Sequence, residues 1–317
     1  MIITRTPLRV SFAGGMSDIP AYYEKDFGCV VSTAIDKYIY ITVNKRFLPF
    51  FRIKYSQTEN VDRVDDIQHS LVRECLKFTN ITDPLEITSI SDLPSQTGLG
   101  SSSAFAVGLL HALHRYKNEQ VTWKQLAEEA AHIEIDILKN PIGKQDQYAS
   151  SHGGCNDIRF TKGHVDVYPQ EIPEEAQHRL LMFYLGKREA TVRIHERLAV
   201  DMEIIRPIID KIRDHAVGFE KDIHDGVITK TLGEWLDVGW HWKQKASPDI
   251  ASTEVSELYE LALRYGALGG KLLGEGHKGF LLVYAKPNAV QQLIDKLPAR
   301  HLPFKFDTRG SMVLYDN

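Results

Sequence analysis

The chain has 317 residues, 43% hydrophobic and 25% charged, the balance of a soluble globular protein with room for one large domain or two moderate ones. A formal net charge of −4 with no long basic run argues against nucleic acid or an anionic membrane as a partner. Cys29, Cys75 and Cys155 show neither metal-ligand nor disulfide spacing. The first fifteen residues lack the apolar core of a signal peptide, and no segment approaches the roughly 20 apolar residues that cross a bilayer. A cytoplasmic location is expected.

Leu8–Ala13, Cys29–Ile35, Tyr38–Arg46 and Phe50–Tyr55 are rich in β-branched and aromatic residues and read as strands, with Gly14-Gly15 and a polar turn after the first. Ile67, Leu71, Cys75 and Phe78 sit at helical spacing. A further strand, Leu85–Ile90, leads into the most informative stretch. Pro94, Gly98 and Gly100 punctuate a loop that ends in Ser101, Ser102 and Ser103, and a small-and-apolar helix follows. Glycines let backbone N–H groups approach an anion, the helix N-terminus adds its positive dipole end, and serine hydroxyls can serve phosphate or a hard cation. Serine N-capping is the plainer reading, but one cap explains one serine. A phosphate-binding loop is expected, and it is not the Walker type, because no lysine follows the last glycine.

Thr122 is a candidate N-cap for a helix over 123–138. Ala127, Ala130, Ala131, Ile137 and Leu138 share a face with Glu134. A carboxylate in that stripe must be paired, protonated or cation-bound, unless it snorkels to water. Asp146 follows a Pro/Gly break at 140–143, where it could be catalytic or merely complement a helix dipole. Strands near 155–160 and 164–168 come next, then a buried strand at 180–185, a long helical stretch to about 245 and a helix over 251–265. Gly266–Gly279 is dense in glycine and precedes an apolar strand at 280–285, a helix over 288–297 and strands near 303–306 and 312–315. This glycine density implies a close backbone approach to another surface, or else a loose hairpin. Composition changes near Pro169–Pro173, so residues 1–173 and 174–317 are expected to form two domains of mixed α/β (α+β) character.

A phosphate loop, an inward carboxylate and a loop aspartate together are the inventory of phosphoryl transfer. The stretch from Pro94 to Ala104 resembles the central motif of the GHMP small-molecule kinases. Pro7-Leu-Arg9-Val-Ser-Phe-Ala-Gly-Gly-Met-Ser-Asp18 resembles their first motif, and Gly270-Lys-Leu-Leu-Gly-Glu-Gly-His-Lys-Gly-Phe280 their third. The resemblance implies a two-domain kinase with its active site in the inter-domain cleft, using ATP and Mg²⁺. The first motif and the block Pro141-Ile-Gly-Lys-Gln-Asp146-Gln-Tyr-Ala-Ser150 are most similar to the heptose 7-phosphate kinase branch. By that similarity the small-molecule partner is a sugar phosphate, phosphorylated at its anomeric hydroxyl. L-Fucose and galactose kinases share much of the pattern, and a silent sugar-binding regulator on the same fold is the non-enzymatic alternative.

Position by position, the resemblance makes Asp146 the catalytic base and Arg9 the basic residue beside it. Pro94, Gly98, Leu99, Gly100, Ser101, Ser102 and Ser103 would bind the nucleotide phosphates, and Ser102 and Glu134 the Mg²⁺. Asp18, Gly14, Gly15, Gly274 and Gly276 would line the sugar side. On charge and position alone, Lys144 and Arg188 or Arg193 are candidates for the sugar's own phosphate. Two departures stand out: Met16 occupies a position where the resemblance implies glycine, and His277 and Lys278 intrude on the third motif's glycines.

Overall fold

A strand buried at every position from Thr6 to Ala13 belongs in a sheet interior with both faces covered. It is β1 (Ile2–Ala13), flanked antiparallel by β12 (Met312–Asp316) and β2 (Gly28–Lys45). The computed structural model describes residues 1–187, 202–247, 250–274 and 276–317.

β2 is one continuous strand where the sequence predicts two, because Asp36 and Lys37 are accommodated as an irregularity opposite Pro7 and Leu8 rather than as a turn. Pro7 has no N–H to contribute there, so the irregularity costs little. The first half of β2 pairs with β6 (Cys155–Thr161) and its second half with β5 (Leu85–Ser91). β7 (His164–Gln170) extends from β6, while β3 (Phe51–Lys54) lies parallel to β5 and carries β4 (Thr58–Val61) at its edge. These eight strands form one sheet; β8 (Leu180–Tyr184), β9 (Ala267–Leu272), β10 (Phe280–Ala285) and β11 (Arg300–Leu302) form a second, in the order β11-β8-β10-β9. The second sheet begins after residue 173, and β12 carries the chain's end back to the first. The strand expected at 303–306 is absent: Pro303 follows β11, and only Phe306 bridges to Ile35.

The helices are α1 (Pro20–Tyr23), α2 (Ser70–Phe78), α3 (Ser101–Tyr116), α4 (Trp123–Ala131), α5 (Gln145–His152), α6 (Glu174–Gln177), α7 (Met202–His224), α8 (Ile228–Ala246), α9 (Thr253–Arg264) and α10 (Val290–Lys296). Among the described residues none is long and apolar enough to cross a membrane. α3 is buried on nearly all sides, as its small apolar residues dictate, and packs across β1 and β2. Thr4 donates to the Gly108 carbonyl at 2.8 Å, which seats the helix close on the sheet. Fully burying a side chain such as Leu109, Leu110 or Leu113 contributes roughly 1.5–3 kcal/mol, so α3 is anchored well beyond its own propensity. α7 stacks Phe219 on Phe12 of β1 (5.8 Å), and α8 lies against β9 so closely that a Cβ at Gly269 would overlap the Gly233 carbonyl. The glycine-rich segment is therefore a strand in close backbone contact with a helix. Lys271 of β9 donates to the Phe12 carbonyl at 3.0 Å, tying the second sheet to β1.

Candidate active site

One cavity of about 890 Å³ lies between the two sheets and takes in all three motifs. Its floor is the loop before α3. Gly98 and Gly100 have φ of +85° and +73°, a left-handed geometry that disfavours any side chain. Gly100 itself is the N-cap of α3 and makes no side-chain cap, so Ser101–Ser103 form the helix's first turn instead of capping it. The first N–H groups of the helix thus have no side-chain cap, and the serines that carry them line the cavity.

Glu134 sits behind this turn. After Ala131 the helix continues as a single π-helical segment, His132–Ile137, a local widening that recurs at functional sites. Glu134 is fully buried within it and does not snorkel to water. Its carboxylate accepts from Ser102 Oγ (2.8 Å) and Gln147 Nε2 (2.6 Å), and Gln147 also donates to Ser103 Oγ (3.0 Å). Burial raises the Glu134 pKa, and these hydrogen bonds only partly oppose it. Among the described residues no lysine, arginine or histidine is paired with it.

Arg9 and Asp146 meet across the loop. Arg9 Nε and Nη2 grip the two carboxylate oxygens of Asp146 at 2.6 and 2.9 Å, and Nη1 donates to the Gly98 carbonyl at 2.7 Å. Such a fork fixes the carboxylate's plane and leaves each oxygen a lone pair. A side chain on Gly100 would put its Cβ 3.0 Å from Asp146 Oδ2, so the bare backbone of the loop before α3 lets the two approach. Asp18, almost wholly buried, accepts from the backbone N–H groups of Met16 and Gln145, both at 3.1 Å. Burial is the largest influence on it and pushes its pKa up to about 6.

Gly14, Gly15, Gly274 and Gly276 all line the cavity, and Gly274 meets Gly98 so closely that neither tolerates a side chain. Leu99 is buried, with its carbonyl accepting from Arg9 N, while Pro94 is exposed and its carbonyl accepts from Thr97 Oγ1. Lys144 turns away: its ammonium lies 5.7 Å from the Tyr23 ring centre, and it is not among the residues that line the cavity. Arg188 and Arg193 lie outside the described residues. Met16 and His277 adopt φ of +85° and +64°, and Lys278 pairs with Glu254 at 3.6 Å.

Several lining residues escaped the sequence reading. Tyr55, His69 and Phe105 form an aromatic wall near the start of α3, with His69 stacked on Phe105 at 5.0 Å and Tyr55 edge-on to His69 at 4.7 Å. Ser11 Oγ is buried at the cavity wall without a hydrogen-bond partner among the described residues. On the opposite face stand Lys243, Lys271 and His215. A lysine inside a glycine-rich, otherwise apolar strand was the available signal for Lys271.

A helix start left free for phosphates, facing a clamped aspartate in a cleft, is the equipment of a phosphotransferase. Residues 69–154 match the GHMP kinases N terminal domain. The chain is 30% identical to D-glycero-alpha-D-manno-heptose 7-phosphate kinase of Campylobacter jejuni over 93% of both chains. It is 25% identical to galactokinase of Pyrococcus furiosus, over 95% of this chain and 94% of that one. A crystal structure of a D-glycero-D-manno-heptose 1-phosphate kinase from Bacteroides thetaiotaomicron superposes with a TM-score of 0.81 at 21% identity, covering 100% of each chain. The chain belongs to the GHMP kinase family.

Proposed function

We propose that this kinase transfers the γ-phosphoryl group of ATP to the anomeric hydroxyl of a seven-carbon sugar phosphate of the D-glycero-D-manno-heptose 7-phosphate type. The observation that carries this reading is the Arg9–Asp146 fork set against Gly100, with Asp18 in the same cavity. The similarity to the Campylobacter enzyme supports the choice of sugar. The nucleotide's phosphates would lie on the N–H groups of Gly98–Ser103, and its base against the Tyr55–His69–Phe105 wall. Asp18, Gly15 and the unpartnered Ser11 hydroxyl would receive sugar hydroxyls. The anomeric oxygen attacks the γ-phosphorus as its proton passes to an Asp146 lone pair that Arg9 leaves unused, and ADP departs.

Ser102 and Glu134 fit a magnesium ion: a buried carboxylate with only neutral partners, joined to a hydroxyl on the cavity wall, is a donor pair of the sparse kind that Mg²⁺ accepts. A bound Mg²⁺ would offset negative charge on the phosphates during transfer. The remaining chemistry belongs to the chain: Arg9 orients Asp146 and stabilises charge at the reacting centre, and the two walls exclude water.

The test is ATP consumption with Mg²⁺ against heptose 7-phosphate, free heptose, L-fucose and galactose. Preference for the phosphorylated heptose is expected. Preference for a free sugar would overturn the substrate but keep the kinase, and no turnover on any sugar would favour a silent binding protein.

A further inference from the structure

The cavity's C-terminal face holds two lysines, one buried and one half-buried, that no carboxylate among the described residues neutralises. Lys271, on β9, is 6% exposed and donates only to the Phe12 carbonyl at 3.0 Å. Lys243, near the end of α8, is half-buried and donates to the carbonyls of Leu272 (3.3 Å) and Gly274. Neither is paired with a carboxylate among the described residues. His215 of α7 stands beside them, 8% exposed, its Nε2 buried and without a hydrogen-bond partner among the described residues. All three line the cavity. Burial, aided by the neighbouring positive charges, lowers the pKa of Lys243 well below its usual value and that of Lys271 to about 7. A buried amine without a counter-ion sheds part of its charge in this way and regains it when an anion enters, so two lysines gathered without a carboxylate on a cavity wall describe a place for an anion.

Two anions could enter this cleft, the nucleotide's phosphates and a phosphate on the sugar. The nucleotide already has the start of α3 and the Ser102–Glu134 pair. Lys271 reaches β1 at Phe12, three residues beyond Arg9 and about 10 Å further along the strand, toward Gly14, Gly15 and Asp18. That is the side assigned above to the sugar, and Lys243, whose carbonyl partner Gly274 packs on Gly98, stands at the border between this side and the nucleotide loop. We propose that Lys243, Lys271 and His215 form a subsite for the phosphate that the acceptor sugar already carries. This rests on the sugar-kinase reading above, and it takes the place of Lys144 as the source of positive charge.

The experiment compares wild type, Lys271→Met and Lys243→Met on heptose 7-phosphate and free heptose, with the KM for ATP measured alongside. Each variant is expected to lose about 10–100-fold in kcat/KM on the phosphorylated sugar, the worth of a charge-assisted contact, while free heptose and the KM for ATP change by less than about threefold. Equal losses on both sugars, or a raised KM for ATP, would assign the cations to the transferred phosphoryl group and overturn the subsite. A wild type that ignores heptose 7-phosphate defeats the substrate reading itself; a wild type that prefers it, with variants that keep the preference, defeats only the subsite. Should Lys271→Met fail to fold, Lys243→Met and calorimetric titration of wild type with the two sugars decide the matter: tighter binding of the phosphorylated sugar that Lys243→Met abolishes upholds the subsite, and equal binding overturns it.

Discussion

The two walls of the cleft hold their charges in opposite ways. On the first sheet's side every acidic group is held: Asp146 by Arg9, Asp18 by two backbone N–H groups, Glu134 by Ser102 and Gln147. On the second sheet's side, among the described residues, Lys243 and Lys271 have only backbone carbonyls as partners, and His215 Nε2 has none. A charge held on several sides is positioned before any ligand arrives and suits chemistry that depends on geometry. A charge left without a counter-ion is costly in the empty protein and becomes favourable when a ligand brings the missing sign. On the proposed reading, the first wall carries the reaction and binds the nucleotide and the sugar's hydroxyls, and the second recognises the acceptor's own phosphate.

The sharpest way to break this division is at the held pair. Asp146→Asn keeps the size of the side chain and one acceptor but removes the proton-accepting charge. It is expected to lower kcat by about 10²–10⁴-fold while ATP affinity changes little. Pre-steady-state phosphoryl transfer together with nucleotide titration would check it. Normal turnover would mean that alignment of the substrates alone carries the reaction, and the first wall would no longer be the chemical one.

Asp18 tests whether a held charge still carries a cost. Its carboxyl titrates near 6 in the folded protein against an ordinary value of 3.8, so between these pH values the folded state binds the extra proton. Stability therefore falls as pH rises through this window, by up to about 3 kcal/mol above pH 6. Asp18→Asn removes that cost but leaves one of the N–H groups of Met16 and Gln145 without its acceptor, returning about 1 kcal/mol. At pH 8 the variant is expected to melt higher than wild type, and the gap should close and then slightly reverse as pH falls toward 4. Thermal melts across that range measure it, and a gap independent of pH would show that Asp18 is fully stabilised by its hydrogen bonds.

Much of the first wall could be read in advance, because its requirements leave local marks. A left-handed helix start demands glycine at 100, and a carboxylate facing inward shows as Glu134 among alanines. The π-helical segment left no such mark, since nothing in His132–Ile137 departs from an ordinary amphipathic helix. The continuity of β2 was hidden as well: Asp36-Lys37 reads as a turn until Pro7 is known to lie opposite. The second wall was harder still. Lys243, Lys271 and His215 come from α8, β9 and α7, and only the packing of the second sheet on β1 brings them to one surface. Lys144, by contrast, lies beside Asp146 in the chain and turns to Tyr23. Adjacency in sequence to a reacting residue does not place a side chain in the reaction.

The two departures from the family pattern share a cause that the backbone reveals. Met16 and His277 stand where glycine is implied, and both have the left-handed φ that glycine would adopt without strain. Met16 is buried, so its side chain offsets the strain through packing. His277 is half-buried and is tied down by its backbone, its N–H donating to Ile250 O at 2.7 Å and its carbonyl accepting from Ser252 Oγ. His277→Gly keeps both of these bonds. It relieves about 1–2 kcal/mol of left-handed strain and gives back roughly 0.5–1 kcal/mol as the entropy of a more flexible unfolded chain. The net lies between about zero and a gain of roughly 1.5 kcal/mol, visible as a slightly higher denaturation midpoint in urea with an unchanged slope. A loss of stability instead would mean that the imidazole itself contributes packing, so that this turn is held by the side chain as well as by its two backbone hydrogen bonds.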